Sequence, residues 1–403
     1  MTENSPSTSR RAFIAGTSAA AVALVSPEAA LAQANGRKLR IGFIGCGGRG
    51  TFVANIVKED GGFEFAAAAD YFQDKLDTFG EAFGVPKEAR FTGLDGFKKL
   101  LAVDKLDAVA IHSPPYFHPI HLEEALKAGK HALVAKPVAI DVPGCERVRK
   151  LAEVAAGKGQ VVLADVQCRG DAIFNEAIRR VHEGGIGDFC FGECDYEADV
   201  IPPQSEGGDA EARLRNWVLW KDLGGDIITE QNIHALDIVS WALGQPTAAT
   251  GRSGRRVRTG TGDTADHYSV LFDFPTGSVN FLSRQYTAWG APFMCNNRFF
   301  GTKGMLSTAF GGKVMIRGSK DNYWAGGESK QLYKSGSVEN VKTFREQILA
   351  GKPDGNKTIP AAVQTTLLTL LGKMAADEKR TVTWADFLAN SKPVTPDLKG
   401  LKA

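Results

Sequence analysis

Short apolar segments alternate with amphipathic segments along the first part of the chain. Five segments are almost continuously apolar: 39–44, 63–69, 106–111, 132–135 and 161–164. Between them, residues 118–128 and 144–156 repeat apolar side chains every three or four positions, which is typical of helices that bury one face. Continuous apolar strands separated by helices indicate a parallel sheet that is covered on both sides. We therefore expect a doubly wound α/β domain over residues 38–165.

The pattern changes near residue 166, where longer segments alternate apolar and polar side chains. Three of these segments are predicted strands: 189–196, 268–274 and 278–286. Pro275-Thr276-Gly277 predicts a hairpin turn between the last two. Helical periodicity is confined to three segments: 172–183, 230–243 and 361–376. Strands grouped apart from a few helices predict an α+β domain with a large, mostly antiparallel open sheet over residues 166–403.

Charge is nearly balanced along the chain, which limits the classes of partner. There are 48 lysines and arginines against 46 aspartates and glutamates, a formal net charge of +2. No block of basic residues follows the N-terminal segment, whereas proteins that bind nucleic acid or anionic membranes concentrate positive charge. We expect a small-molecule ligand and no nucleic acid.

Residues 1–34 have the composition of an export signal. Arg10-Arg11 precedes Phe13-Ile14 and a mildly apolar stretch, and small residues end near Ala32. This order is typical of a cleaved signal, and the paired arginines resemble those of the twin-arginine route. The apolar stretch is shorter than the roughly 20 residues that span a bilayer. The segment predicts a periplasmic or otherwise exported protein without a membrane span after signal removal; the alternative is an unstructured tail with a chance pair of arginines.

The six cysteines show no Cys-x-x-Cys spacing. Their scatter argues against a structural zinc site or a redox dithiol, and we predict no metal. We expect free thiols, which are unusual in an exported protein unless it folds in the reducing cytoplasm before transport.

A glycine-rich loop follows directly after the first predicted strand. Its residues are Gly45, Cys46, Gly47, Gly48, Arg49 and Gly50, a G-x-G-x-x-G pattern that leads into a helical segment. The first glycine of such a loop permits a tight turn, the second lets the backbone approach a pyrophosphate, and the third lets helix and strand pack closely. Asp70 ends the next strand, where a carboxylate accepts hydrogen bonds from ribose hydroxyls and repels a 2′-phosphate. The pattern predicts a Rossmann domain that binds NAD, with NADP less favoured.

Two further loops follow predicted parallel strands, at the sheet edge where such domains bind ligands. Ser113 and Pro114 lie in the first loop, and His118 begins the helix after it. We predict that these residues contact the cofactor, although His118 can also be a helix-cap residue. Lys136 ends the next strand and is a candidate both for cofactor binding and for catalysis. The alternative for Lys136 is an ordinary surface lysine.

A third group of polar residues lies in the segment 230–243. If this segment is one helix, Glu230, His234 and Asp237 share a face, so that a carboxylate can orient the imidazole. Histidine is the usual general base near neutral pH. A structural buried histidine is the alternative, and Glu230 with His234 also resembles half of a metal site for which no third ligand is evident.

Together these motifs resemble the glucose-fructose oxidoreductase and inositol dehydrogenase family, Gfo/Idh/MocA. The resemblance extends over the whole chain after the signal. It includes the glycine loop, the Lys-Pro after the fifth strand, the Gly-Gly to His-x-x-Asp segment, Gly301-Thr302-Lys303-Gly304 and the ending around Val382-Thr383-Trp384. The family implies a Rossmann domain followed by an α+β domain whose open sheet often mediates homo-oligomers.

By this resemblance, Lys136 corresponds to the lysine of a Glu-Lys-Pro motif beside the nicotinamide and the substrate. Glu230 and His234 correspond to an Asp-x-x-x-His pair that supplies the acid/base group. The chain departs from the family at two positions, since Ala135 replaces the usual glutamate and Glu230 replaces the usual aspartate. The carboxylate that tunes Lys136 is therefore absent or comes from another part of the chain.

The expected activity is oxidation of a CH–OH group in a sugar, polyol or glycoside with a tightly held NAD. Gln167 and Arg169 follow the last strand of the Rossmann domain and, with Asp237, can contact polar groups of the substrate. Trp217 can pack on a sugar ring or serve in the core. Two alternatives remain open: an NAD-dependent glycosidase that works by transient oxidation and elimination, and a binding protein that holds NAD without turnover.

Overall fold

The computed structural model describes residues 36–403, and the predicted export signal lies outside the described residues. Two sheets organise the described part of the chain, one of six strands and one of nine. The first is parallel and the second is mostly antiparallel, which confirms the predicted fold class. Within residues 36–403, no helix combines the length and apolar character needed to cross a membrane.

The six-stranded sheet has the order β3-β2-β1-β4-β5-β6, with every pairing parallel. Its strands are β1 (Leu39–Ile44), β2 (Phe63–Asp70), β3 (Arg90–Thr92), β4 (Ala108–Ile111), β5 (His131–Ala135) and β6 (Val162–Asp165). The helices between them are α1 (Gly48–Asp60), α2 (Gln73–Phe83), α3 (Gly96–Leu101), α4 (His118–Lys127) and α5 (Val142–Gly157). Phe43 and Ile44 point into two different apolar clusters, one on each face of the sheet. Burial of both faces explains why these strands are continuously apolar.

The nine-stranded sheet has the order β14-β13-β12-β11-β7-β10-β9-β8-β15. Its strands are β7 (Phe189–Ala198), β8 (Ala248–Gly254), β9 (His267–Phe274), β10 (Gly277–Gln285), β11 (Met294–Gly301), β12 (Gly304–Ala309), β13 (Lys313–Gly318), β14 (Trp324–Glu328) and β15 (Thr381–Thr383). Only β7 and β10 pair in parallel. Phe274 pairs with Gly277 across the predicted hairpin turn.

Helices also lie in the described chain after residue 166, and some of them pack on the inner face of this sheet. They are α6 (Gln167–Gly170), α7 (Ala172–His182), α8 (Ala210–Arg215), α9 (Lys221–Gly224), α10 (Ile227–Glu230), α11 (Ile233–Leu243), α12 (Leu332–Ala350), α13 (Thr358–Glu378) and α14 (Trp384–Asn390). Short 3-10 turns lie at Lys87–Ala89, Pro115–Phe117, Trp217–Leu219 and Asp354–Asn356. Of the helices, α11 packs on β7 and β11, whereas α13 packs on β8 and β9. Within residues 36–403, the outer face of the sheet is open, and Phe191, Leu271 and Leu282 are partly exposed there.

The structure adds to the predicted elements and corrects one of them. The strand β3, six strands of the second sheet (β8 and β11–β15), the 19-residue helix α12 and the short helices α6, α8, α9 and α14 were not predicted. The predicted helix over residues 230–243 is interrupted, because α10 ends at Glu230 and α11 begins at Ile233. As a result, Glu230 does not share a continuous helical face with His234 and Asp237.

Candidate active site

One cavity of about 620 Å³ lies between the carboxyl edge of the parallel sheet and the inner face of the second sheet. Its volume is within the range of sites that bind small molecules. The predicted residues that line it are Gly45, Gly47, Gly48, Arg49, Asp70, Ser113, Pro114, His118, Lys136, Trp217, Glu230 and His234. The chain thus brings most of the predicted cofactor and catalytic residues to one cavity.

The three glycines of the motif have three different structural roles. Gly45 has φ +97°, and a Cβ there would lie 2.5 Å from the backbone of His112. A Cβ at Gly50 would lie 2.0 Å from the carbonyl oxygen of Gly45, so this glycine permits the close packing of β1 and α1. Gly47 faces open space in the cavity, and no side chain of the described residues caps the N-terminus of α1. The free backbone N–H groups there suit an anionic pyrophosphate.

Asp70 is fixed beside this loop by two backbone hydrogen bonds. The N–H of Cys46 donates to Oδ2 at 2.7 Å, and the N–H of Phe72 donates to Oδ1 at 2.9 Å. Burial raises the pKa of the Asp70 carboxyl. Each carboxylate oxygen has a further lone pair, which suits the hydroxyls of an adenosine ribose.

Cys46 and Gly50, which were also predicted to bind the cofactor, are not among the described residues that line the cavity. The Cys46 side chain is buried, and its backbone positions Asp70. All six cysteines are free thiols.

His118 connects the two loops that follow β4 and β5. Its Nδ1 lies 2.7 Å from the carbonyl oxygen of Pro137, and its Nε2 lies 2.7 Å from that of Ser113. Burial outweighs these carbonyl contacts and lowers the pKa of His118 to about 4. The neutral ring can donate through only one nitrogen. Because its two nitrogens contact backbone carbonyls of two different loops, His118 both lines the cavity and holds these loops together.

Lys136 is held by Glu230. Its Nζ donates to Oε1 of Glu230 at 2.9 Å and also to the carbonyl oxygen of the same residue. Both side chains are about nine-tenths buried, with exposures of 11% and 10%. The carboxylate that Ala135 cannot supply thus comes from Glu230, 94 positions further along the chain.

His234 lies in the cavity without the orienting carboxylate that the helical spacing predicted. Glu230 contacts Lys136, and Asp237 accepts hydrogen bonds from Arg169 at 2.9 and 3.1 Å and from Thr365 at 2.7 Å. The break after α10 turns the Glu230 side chain away from the imidazole. Burial, followed by the charges of Lys136 and Arg49, holds the pKa of His234 well below its ordinary value. A neutral imidazole is the form that accepts a proton.

The structure does not bring Gln167, Arg169 and Asp237 into the main cavity; none is among its described lining residues. Gln167 is 1% exposed, and its amide donates to the carbonyl oxygen of Asp165. Arg169 pairs with Asp237 and lies 4.9 Å from the ring centre of Trp241. Asp237 borders a void of about 10 Å³ behind Lys136 and His234. All three side chains thus lie behind the main cavity in this structure.

The guanidinium of Arg49 lies below the glycine loop rather than free in the cavity. It pairs with Asp165, whose side chain is 2% exposed, and packs between the rings of Phe52 and Tyr333 at 4.9 and 4.7 Å. Burial alone would raise the pKa of Asp165, but Arg49 and the Asn340 amide hold it below its ordinary value. This buried pair joins α1 to the end of β6.

Several residues that line the cavity were not predicted from the sequence: Tyr196, Gln231, Phe293, Cys295, Phe310 and Tyr333. Tyr196, Cys295 and Tyr333 belong to β7, β11 and the unpredicted α12. The hydroxyl of Tyr196 donates to the Gln231 side chain at 3.1 Å, and the His234 ring lies 5.5 Å from that of Phe310. Strand alternation could have placed Tyr196 on the inner face, but it does not identify which residue it meets.

Comparison with known proteins agrees with this geometry. Residues 39–164 match an oxidoreductase family model with an NAD-binding Rossmann fold, and residues 174–307 match the GFO/IDH/MocA C-terminal domain. A glycosyl hydrolase family 109 protein of Shewanella pealeana is 25% identical over 309 residues, which are 71% of this chain and 66% of that protein. The chain thus spans just under two thirds of that relative's length.

Solved structures share the fold. The aldose-aldose oxidoreductase from Caulobacter crescentus, complexed with glycerol, superposes with a TM-score of 0.69 at 22% identity, covering 86% of this chain and 100% of that one. A levoglucosan dehydrogenase in complex with NADH gives a TM-score of 0.67 at 16% identity, with coverage of 86% and 99%. Since the two family models together match more than half of its residues, the chain belongs to the Gfo/Idh/MocA family of oxidoreductases, and residues 39–164 form an NAD-binding Rossmann domain.

Proposed function

We propose that this protein uses a tightly held NAD to oxidise a CH–OH group of a sugar, polyol or glycoside. The observation that carries the proposal is the Lys136–Glu230 pair beside a neutral His234, in the same cavity as the glycine loop and Asp70. Ammonium, neutral imidazole and a dinucleotide cradle are the groups that alcohol oxidation requires.

The residues present fit a dinucleotide. Gly47 leaves space for a pyrophosphate at the N-terminus of α1, and Asp70 is positioned for the adenosine ribose. When bound, NAD supplies the acceptor for the hydride that leaves the substrate carbon. The Asp70 carboxylate would repel a 2′-phosphate, which favours NAD over NADP.

The proton steps are assigned to the residues on the opposite side of the cavity. His234 takes the proton of the substrate hydroxyl, and Lys136 donates a hydrogen bond to the oxygen as negative charge develops on it. Glu230 holds the ammonium in place at 2.9 Å. Tyr196 and Phe293 lie in T-shaped contact at 5.8 Å and line the cavity where a sugar ring could pack.

The export signal predicted for residues 1–34 bears on how the cofactor is used. An exported enzyme has no exchangeable pool of nicotinamide, so NAD must be bound before transport and recycled within the site. Either a second sugar is reduced in each cycle, or the hydride returns to the same substrate. We propose periplasmic or other export by the twin-arginine route as part of this function.

The second candidate is a glycosidase that uses NAD without net redox change. It is favoured by the 25% identity to a glycosyl hydrolase family 109 protein. In this scheme oxidation of a hydroxyl to a ketone acidifies the neighbouring C–H, and elimination then breaks the glycosidic bond. Water adds to the resulting alkene, and the hydride returns to the ketone, so that the cofactor ends as it began.

We also propose that the protein forms a homo-oligomer through the open face of the second sheet. Phe191 and Phe300 stack at 4.5 Å on that face, and Phe191, Leu271 and Leu282 are 49, 39 and 43% exposed. Adjacent exposed apolar side chains are typical of surfaces that another chain covers.

A single series of assays separates the candidate functions. The protein is purified without added nucleotide and denatured, and the released cofactor is identified by mass. Intact protein is then mixed with free sugars and with aryl glycosides, while reduced-nicotinamide absorbance and released aglycone are followed. Oxidised sugar supports the first candidate, and released aglycone without net redox change supports the second. Retained NAD without either reaction would contradict both and leave a binding protein.

A further inference from the structure

One side of the adenosine end of the cavity is formed from outside the Rossmann domain. Residues 199–226, between β7 and α10, lie across the groove from Asp70 and Phe72. The cavity-lining residues of this segment are Ile201, Gln204, Leu214, Arg215, Trp217 and Val218. A dinucleotide in this groove would be covered along its adenosine half.

The 199–226 segment is fastened to the Rossmann domain beside the groove. Arg215 forms two hydrogen bonds of 2.9 Å to the carboxylate of Asp74. Its guanidinium also lies 3.9 Å from the ring centre of Phe72. A bidentate pair combined with a cation–π contact fixes the geometry of the crossing more tightly than a single ion pair would.

Residues 391–403, which we call the tail segment, pack over the outside of the same crossing. Leu94 donates its backbone N–H to the carbonyl oxygen of Lys402 at 3.0 Å. Gly93 allows this approach, since a Cβ there would lie 2.2 Å from the carbonyl oxygen of Ala403. Leu398 and Leu401 pack against the apolar cluster centred on Phe117, Leu214 and Leu223.

Tyr71 joins the Rossmann domain, the 199–226 segment and the tail segment at one point. Its hydroxyl donates to Glu211 at 2.9 Å and accepts the backbone N–H of Lys402 at 3.1 Å. The Lys402 ammonium lies 3.3 Å from the same Glu211 carboxylate, and Arg213 donates to the carbonyl oxygen of Asp397 at 3.2 Å. Separation of the two sides of the groove therefore requires release of the tail segment.

We propose that the tail segment is a strap that retains the dinucleotide, so that NAD dissociates only when the Tyr71 junction opens. This inference rests on the proposed function, which requires a cofactor that stays bound through turnover. The pyrophosphate cradle and Asp70 lie outside the strap, so the strap governs the rate of release and is not needed for the site to form.

The release rate of NADH tests the strap. Trp217 lines the cavity, so energy transfer from tryptophan to bound NADH reports occupancy, and excess NAD⁺ displaces the NADH in a stopped-flow experiment. Removal of residues 391–403 should raise the dissociation rate by about tenfold or more. Tyr71→Phe deletes one hydroxyl with two hydrogen bonds and should raise it by about three- to tenfold.

Tyr323→Phe is the matched control, since this tyrosine is 54% exposed in a turn of the second sheet and should leave the rate unchanged. Tyr71 also lines the cavity, so Leu401→Ala, which loosens the tail segment without changing a cavity-lining residue, is the second variant if the shortened chain does not fold. Equal dissociation rates for the full chain and the folded variants would overturn the strap and leave NAD binding intact. Failure of the full chain to bind NADH at all would overturn both.

Discussion

Among single residues, Glu230 supplies a negative charge beside Lys136 although the residue that precedes the lysine is not acidic. Ala135 precedes Lys136 where the family usually has a glutamate, yet the lysine still has a carboxylate partner at 2.9 Å. With both side chains largely buried, an unpaired ammonium would be costly, so the pair is expected to be kept or lost together. In the proposed mechanism, His234 then acts as a neutral base whose position comes from packing.

Substitution of either partner tests this assignment. Lys136→Met keeps the length of the side chain but removes the donor, and we expect kcat to fall by about 10²–10⁴-fold with NAD still retained. Glu230→Gln keeps a polar partner without the charge and should lower kcat less, by about tenfold. Steady-state kinetics and mass analysis of bound cofactor measure both effects. Lys313→Met, on an exposed strand position, is the control; an unchanged kcat in Lys136→Met would remove the lysine from the mechanism.

At the scale of secondary-structure elements, the turn from β1 to α1 contains one glycine that the packing requires and another that leaves space for a ligand. A Cβ at Gly50 would collide with Gly45, whereas a Cβ at Gly47 would meet nothing within 4 Å. Gly47 also has φ −75°, which alanine adopts without strain. Gly50 is thus required for the packing of β1 against α1, whereas Gly47 leaves space for a ligand.

Alanine at each position should therefore affect a different property, stability at Gly50 and NADH affinity at Gly47. Gly50→Ala forces β1 and α1 apart and should lower the free energy of unfolding by about 1–3 kcal/mol. Gly47→Ala should unfold at an unchanged denaturant concentration but bind NADH about tenfold more weakly or worse, because the methyl group projects where the pyrophosphate would lie. Gly157→Ala, at the end of α5 and also in open space, is the control for the substitution itself. Equal NADH affinity in Gly47→Ala and the unaltered protein would contradict the placement of the pyrophosphate beside Gly47.

Features that depend on a few neighbouring residues could be predicted from the sequence, whereas features that depend on tertiary contacts could not. The strands of the Rossmann domain, the glycine loop and Asp70 follow from patterns a few residues long. The three-residue strand β3 has too few apolar positions for a periodic signal, and the break after Glu230 depends on tertiary packing. The contact between Lys136 and Glu230 joins residues 94 positions apart, so no local spacing could reveal it. The assignment of Gln167 and Arg169 to the substrate came from position alone; in the structure Gln167 is buried and Arg169 pairs with Asp237.

Across the whole molecule, buried histidines should make stability depend on pH. Burial lowers the pKa of His112 to about 3, of His118 to about 4 and of His121 to about 3, against an ordinary value of 6.5. Below pH 6.5 the unfolded chain takes up protons that the folded chain does not. Each histidine therefore costs about 1 kcal/mol of stability per pH unit as the pH falls from 6.5 towards its folded pKa.

We accordingly expect the free energy of unfolding to fall by several kcal/mol between pH 7 and pH 5, measured by chemical denaturation at fixed NAD concentration. His112→Leu should reduce this pH slope by about a quarter or less, because the pKa values of His234 and His131 are lowered as well. Both ring nitrogens of His112 are buried without a partner in the described part of the chain. A slope unaffected by the substitution would show that His112 is already protonated in the folded protein.

The open face of the second sheet yields the prediction that concerns the assembly. Phe191 and its stacked neighbour Phe300 project outward, while Tyr196, on the same strand, lines the cavity from the inner face. A charge on the outer face should therefore disrupt association between copies and leave the site intact. Phe191→Glu is expected to be monomeric by light scattering, with unchanged NAD content. Leu388→Glu, equally apolar and 42% exposed but on α14, should keep the oligomeric state of the unaltered protein. If Leu388→Glu dissociates the oligomer and Phe191→Glu does not, the interface lies at α14 and not on the sheet.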